Sequence, residues 1–401
     1  GTLAYWLLFM LSLITGNLDK PGGNIYSRGF YPAAKAGRST GEITYESTSH
    51  GDIRRIRGSL PGNLLTDMIL NDEDPIRGLI VISGNPILSM GSGSRLAEAF
   101  AKLEFLIVID IYPSATSQYA DYLLPATDMF ERPDINICGL GMQSEPFIQY
   151  TDFIVPPKAQ RRPEWWILRT LEAAQGFETD VPEIDNYQQT ITDLGLFNRF
   201  NHMLKQSNLS MAEVQASDSQ TYVLAPVASG NFFSETLQTE SGRVDCCPDA
   251  FTEAQQTCAR IFKELAAEPE TQLKMISRRT NYMINSWFHN VPSLKRPQSL
   301  TNPLYIHPSD ARARNLGEGS NVRVHNAFGD ITTVVSLDET LRPGTVAITH
   351  GWGNKGSDMK VAGANPGCNV NNLLPSGPGS FEKVSNQSFM TGIPIEIDAV
   401  S

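Results

Sequence analysis

The sequence predicts an α/β region built on a parallel sheet, followed by a C-terminal β-barrel or sandwich. Three observations carry this reading. Continuous apolar runs of five occur at Gly78 to Ile82 and Phe105 to Ile109, a helix-like segment from Ser94 to Leu103 lies between them, and from Asn302 onward short β-branched runs alternate with Gly, Pro and Asp turns. Such runs fit strands buried on both faces of a parallel sheet, and strand, helix, strand in that order makes a right-handed crossover. At 401 residues, with 41% hydrophobic and 19% charged residues, the chain is long enough for two cores. The change of composition sets the boundary near residue 270, giving domains 1–270 and 271–401.

Taken in order, Leu3 to Ile14 is apolar and predicts a buried helix. A membrane span needs roughly 20 apolar residues; this run is shorter and lacks the basic start of a signal peptide. A chain that opens on such a helix is expected to begin far upstream. Thr15 to Asn24 is dense in turn residues and starts a loop-rich region reaching about residue 74. After the β-α-β unit, Trp165 to Ala174 reads as a helix, Val181 to Gly230 as mixed helical and polar segments, and Ala266 to Thr271 as a polar linker. Asn321 to His325, Ile331 to Val335 and Thr345 to Thr349 then predict strands of an antiparallel barrel or sandwich.

Composition excludes several classes. A net charge of −11 disfavours a nucleic-acid partner, which needs a clustered basic face. Cys138, Cys246, Cys247, Cys258 and Cys368 contain no C-x-x-C, so spacing indicates neither zinc nor an iron-sulfur cluster. An odd, sparse set argues against a disulfide framework and for a reducing compartment such as the cytoplasm. No G-x-S-x-G elbow marks a hydrolase.

The candidate site residues lie first at the carboxyl ends of the predicted strands, where open α/β sheets bind ligands. Gly84 lets a phosphate or ribose approach the main chain, and Asn85, before Pro86, offers an amide; the same three residues also suit a plain tight turn. The G-x-G-x-x-G fingerprint of an ordinary NAD site is absent. Asp110 ends the second strand, as a ribose or guanine ligand or as a strand-end cap. Asp121 sits in Ala120-Asp121-Tyr122-Leu123-Leu124-Pro125, and Glu131-Arg132-Pro133 adds a charge pair in a loop.

The order of these elements, with Thr116 between Asp110 and Asp121, closely resembles the molybdopterin oxidoreductase family, also called the dimethyl sulfoxide reductase family. The resemblance continues through Ser241-Gly242-Arg243-Val244, Arg279, Ser286-Trp287-Phe288-His289-Asn290 and Asn302-Pro303-Leu304-Tyr305-Ile306-His307-Pro308-Ser309-Asp310-Ala311. Gly344, His350-Gly351-Trp352-Gly353 and Asn369-Val370-Asn371-Asn372-Leu373-Leu374 complete it.

That resemblance implies the C-terminal half of a molybdenum or tungsten enzyme whose metal is held by two molybdopterin guanine dinucleotides. The α/β region would meet the nucleotide tails, and a double-psi type barrel would close over the cofactors. Gly84, Asn85, Pro86, Asp110 and Asp121 would face nucleotide portions, with bracing of its loop as the other role open to Asp121. Arg279, Ser286 and His289 would approach pterin or pyrophosphate, and Asn371 a pterin edge; a solvated Arg278-Arg279 pair and a hydrogen-bonded structural His289 are the other readings these residues allow. Where family members often carry Thr after the Asn-x-Leu element, this chain has Leu374-Pro375. A [4Fe-4S] cluster and the protein ligand to the metal are expected only in a missing N-terminal part, so no metal ligand is assigned here. The partners implied are that missing half or a separate chain, and an electron-transfer subunit. The alternatives are a non-catalytic cofactor carrier or assembly partner, and a non-redox tungsten hydratase relative.

Overall fold

A computed structural model describes residues 1–27, 29–31, 44–91, 93–137, 142–143, 145–179, 196–237, 239–297 and 300–400. Cys138 and the start of the 181–230 stretch lie outside them. The contacts gather into two compact units, Gly1–Glu42 with Ala126–Gln256, and Ile43–Pro125 with Thr257–Ser401. A single cut near residue 270 does not describe this division. Residues 43–125 belong with the C-terminal segment, and side-chain amides tie the two together: Asn63 Nδ2 donates to Pro375 O at 3.1 Å, and Asn369 Nδ2 to Ile87 O at 3.1 Å.

In the second unit the stretch expected to be loop-rich contains a hairpin, β1 (Tyr45–Thr48) and β2 (Gly51–Arg54), and a short helix, Leu65–Leu70. The β-α-β unit follows. Strand β3 (Gly78–Ile82) pairs in parallel with β4 (Phe105–Asp110), Gly78 opposite Phe105 and Ile82 opposite Ile109. A third parallel strand, β5 (Tyr122–Pro125), lies beside β4. The helix Gly93–Phe100 presses Leu96, Ala99 and Phe100 onto Val81, Leu106 and Val108. The opposite face is covered only in part: Ile107 and Ile109 of the central strand are buried there. On that face Ile80, Ile82, Phe105 and Tyr122 remain exposed, against the expectation that both faces are buried.

The first unit has its own core, in which Phe30, Ile148, Tyr150, Phe200, Leu204, Met211 and Val214 meet. Its antiparallel strands are β6 (Asp134–Ile135), β7 (Phe147–Thr151) and β8 (Thr221–Val223). The helix expected from Trp165 spans Glu164–Ala174. The opening segment is a helix, Thr2–Ile14, but it buries none of its residues. Contacts such as Trp6 stacked on Phe251 and Phe9 beside Tyr26 leave Tyr5, Leu7, Leu8, Leu11 and Ile14 exposed; the expectation of a buried helix is corrected accordingly. Among the described residues no helix is long and apolar enough to cross a membrane.

The C-terminal segment forms a closed six-stranded barrel from β9 (Leu273–Arg278), β10 (Leu304–Ile306), β11 (Asn321–His325), β12 (Asp330–Leu337), β13 (Thr345–Thr349) and β14 (Ile393–Ala399). Around the ring the order is β10-β12-β11-β14-β9-β13. Alternation sends Val322, Val324, Ile331, Val335, Val346 and Ile348 inward. The barrel is not purely antiparallel as the strand pattern suggested: β10 runs parallel to β12, and β9 to β13. Periodicity fixes which face of a strand is buried, not which neighbour it takes.

Candidate functional site

The site is built at the carboxyl ends of β3 and β4. Ser83, at φ +50°, turns the chain out of β3 while its N–H still donates to Ile109 O at 2.9 Å. Asn85 then faces the loop after β4. Its Oδ1 accepts from the Thr116 hydroxyl at 2.7 Å and from Thr116 N–H at 3.2 Å, and Thr116 Oγ1 accepts from Ile87 N–H at 3.3 Å. A backbone donor at Oδ1 fixes the amide orientation. Asn85 Nδ2 makes no hydrogen bond among the described residues. Asp110 Oδ1 accepts the N–H groups of Ile111 and Tyr112 at 2.6 and 3.2 Å, which caps the strand end. In the same loop Ser114 Oγ is buried without a hydrogen-bond partner among the described residues.

The barrel segment brings a second amide wall to this turn. Asn369 donates to Ile87 O and Asn371 Nδ2 to Leu88 O, locking the residues after Pro86. Asn371 Oδ1 makes no hydrogen bond among the described residues. The loop after β13 joins the group, since Gln118 donates to Gly356 O. Gly353, at φ +112°, lies so close to Asn369 that an added Cβ would come within 2.6 Å of the Asn369 Cβ; only glycine permits this approach.

Arg279, Asn285, His350 and Ser277 form a third group. Arg279 Nη1 donates to Asn285 Oδ1 at 2.9 Å, His350 Nε2 meets the same oxygen at 3.0 Å, and His350 Nδ1 meets Ser277 Oγ at 2.8 Å. Gly351, at φ +89°, fits where a Cβ would lie 2.0 Å from Asn285 O. Burial, then the Arg279 guanidinium, lower the pKa of His350. Arg279 itself is exposed, and the Ser286 hydroxyl makes no hydrogen bond among the described residues.

His289 behaves differently. It is fully buried against Trp352, with ring centroids 4.5 Å apart. Nε2 donates to Asn365 O at 2.9 Å and Nδ1 accepts from Asn354 Nδ2 at 2.8 Å. Burial, helped by the nearby Lys295 charge, pushes its pKa down to about 4. Both ring nitrogens are therefore spent within the fold. Trp352 Nε1 and Asn354 Oδ1 beside it are buried without hydrogen-bond partners among the described residues.

Comparison with known proteins fits this architecture. The family model described as Molybdopterin oxidoreductase matches residues 1–174, and that described as Molydopterin dinucleotide binding domain matches residues 273–387. The chain belongs to the molybdopterin oxidoreductase family. It is 23% identical over 398 residues to trimethylamine-N-oxide reductase of Haemophilus influenzae, covering 88% of this chain and 47% of that protein. Against a dimethyl sulfoxide/trimethylamine N-oxide reductase of Cereibacter sphaeroides the identity is 26% over 400 residues, covering 88% and 47%. The chain thus spans about half the length of the curated relatives it matches. Among solved structures, acetylene hydratase from Pelobacter acetylenicus has the same fold, with a TM-score of 0.64 and 18% identity, over 84% of this chain and 46% of that one.

Within this molybdopterin oxidoreductase chain, the structure brings together Gly84, Asn85, Pro86 and Asp110 with Asn371. Asp121 lies elsewhere: its Oδ2 accepts from Leu106 N–H at 2.8 Å, at the amino end of the sheet, where it braces the start of β4. Glu131 and Arg132 are in the first unit, paired with Arg161 and Glu164, each at 2.8 Å. Among the described residues no group of three or more His, Cys, Asp and Glu is placed to hold a metal ion.

The remaining polar groups fit a molybdopterin dinucleotide. A carboxylate, an amide N–H and an amide oxygen suit a heterocycle edge or ribose, the orphaned Ser114 hydroxyl can meet a further polar atom, and an exposed guanidinium suits phosphate. Sequence reasoning missed Ser114, Asn285 and Asn354, and quoted His350-Gly351-Trp352-Gly353 only as part of the family pattern. The available signal was the pair of glycines bracketing Trp352.

Proposed function

We propose that this chain is the C-terminal portion of a molybdenum or tungsten oxidoreductase that binds two molybdopterin guanine dinucleotides. Residues 1–270 would belong to the catalytic body and 271–401 to a dinucleotide-binding barrel of double-psi type. The observation that carries the reading is the meeting of the β3 turn, the loop after β4 and the Asn369–Leu373 segment, with one amide donor and one amide acceptor left to face a ligand. When bound, the metal-dithiolene centre supplies two-electron or oxygen-atom transfer.

The chain's own residues bind and orient. Asn85 Nδ2 donates to a nucleotide heteroatom, Asn371 Oδ1 accepts from a ring N–H, and Asp110 stands at the end of β4 beside them, a carboxylate of the kind that accepts from a ribose or guanine donor. Arg279 pairs with a phosphate oxygen, and Ser286 supplies a hydroxyl beside it. His289, neutral and locked, positions the 350–354 loop and touches no ligand. The exposed apolar helix Thr2–Ile14 and the open face of the β3-β4-β5 sheet support completion by another segment or chain, and electrons would arrive through a partner subunit.

Acid hydrolysis of protein purified from a host that makes the cofactor tests this. Two guanine nucleotides and two fluorescent pterin products per metal atom are expected, and protein free of nucleotide and metal would refute the proposal. A bound nucleotide without redox change under reductant and oxidant would favour the cofactor carrier. Metal that adds water to a substrate without electron exchange would favour the hydratase relative.

A further inference from the structure

Cys246 and Cys247 are separate from the proposed cofactor contacts. Both are exposed and neither is in a disulfide. Asp245 sets the turn that presents them, its Oδ1 accepting the Cys247 N–H at 3.0 Å. Pro248 follows, and then the helix Ala250–Ala266. Other cysteines provide a contrast. Cys258 is a single exposed thiol on that helix, whereas Cys368 is buried against Asn302 and burial pushes its thiol up to about 11.

Geometry limits what two adjacent thiols can do. Consecutive Cα atoms lie about 3.8 Å apart across a trans peptide, shorter than the roughly 4.4–6.8 Å at which disulfides are unstrained. A direct S–S bond is therefore disfavoured, while a larger atom between the sulfurs relieves the constraint. Structural zinc asks for four ligands, and among the described residues no third His, Cys, Asp or Glu joins the pair. What fits is a soft centre that is complete with two protein sulfurs.

We propose that Cys246 and Cys247 form a two-sulfur site for a soft, thiophilic metalloid, represented by a monosubstituted trivalent arsenical. With an arsine oxide, two As–S bonds form and the As=O bond breaks. Both thiol protons leave with the oxygen as one water, and arsenic keeps its oxidation state. The site does not depend on the function proposed above.

The test is intact-mass analysis of the whole chain with phenylarsine oxide in excess monothiol, which strips single-sulfur adducts. One adduct per chain is expected, removable by a small dithiol, absent from both Cys246→Ser and Cys247→Ser, and retained by Cys258→Ser. Circular dichroism of each variant establishes that it is folded. No adduct in the parent chain, or an adduct surviving in either single variant of the pair, would overturn the proposal. So would hydrogen peroxide closing the pair to a disulfide at doses below those at which the arsenical binds.

Discussion

The barrel and the parallel sheet meet the same problem, an apolar strand face that must leave water, and solve it to different extents. In the barrel the ring of strands closes on itself, and residues such as Leu304, Val322, Val346 and Ile348 reach zero exposure. In the β3-β4-β5 sheet, helix Gly93–Phe100 shelters one face, while on the other Ile107 and Ile109 of the central strand are buried but Ile80, Ile82, Phe105 and Tyr122 are 42–58% exposed. Parallel strands are found almost only with both faces covered. A closed sheet needs no neighbour, whereas an open one leaves a face that something else must cover. The barrel should accordingly resist unfolding most, with the sheet contributing mainly from one side.

The largest expected effect comes from breaking the closed side. Ile348→Ala empties a fully buried position of the barrel core and should cost about 2–5 kcal/mol, measured as a lower urea midpoint with an unchanged slope. A loss under about 1 kcal/mol would mean the barrel is loosely packed and the contrast is wrong.

Acid tests the barrel next. His289 has a folded pKa of about 4, below the roughly 6.5 of an unfolded histidine. The unfolded chain therefore takes up a proton first as pH falls. Stability contributed by neutral His289 is intact above pH 6.5, drains away between pH 6.5 and 4, and is flat below. The loss integrates to about 3 kcal/mol. His289→Gln should flatten that part of the stability-pH curve; equal slopes in parent and variant would show that the ring is solvated.

The same division between closed and open explains what could be read in the sequence. The strands at 78–82, 105–110, 321–325 and 345–349 were legible because their apolar and β-branched runs end at turn residues. Strand β5 was not, because Asp121 and Pro125 bracket a run of only three apolar residues. It takes its place from its pairing with β4, Tyr122 opposite Ile107 and Leu123 opposite Val108, which so short a run does not announce. At the site, Gly84, Asn85, Asp110 and Asn371 could be named from motif order. The Asn85–Thr116 and Asn371–Leu88 bonds join residues 31 and 283 positions apart, and such pairings belong to the tertiary fold. The fate of His289 depended on Asn354 and Asn365, which a linear reading cannot bring to its ring.

A smaller effect sharpens the contrast at the junction. Asn85→Ala removes the acceptor for Thr116 N–H and its hydroxyl and should cost about 1 kcal/mol. If Asn85 also donates to a nucleotide, retention of guanine nucleotide on purified protein should fall further than this stability change accounts for. Thr116→Ala, which loses the same side-chain bond but keeps the amide, should share the stability loss and spare nucleotide retention. Equal retention in both variants would make Asn85 a structural residue only.

The smallest effect is the most telling for the open face. Ile80 lies on the uncovered side of β3, so Ile80→Thr keeps a β-branched strand former and removes little buried area. Folding of this chain alone should change by no more than about 0.5 kcal/mol. Its consequence should appear in association instead. If another polypeptide covers Ile80, Ile82, Phe105 and Tyr122, the variant should reduce recovery of that polypeptide in co-purification with the full enzyme while leaving the urea midpoint of the isolated chain unchanged. A midpoint that drops as far as that of Ile348→Ala would mean that this face is already buried within the chain, and the distinction between a closed barrel and an open sheet would be lost.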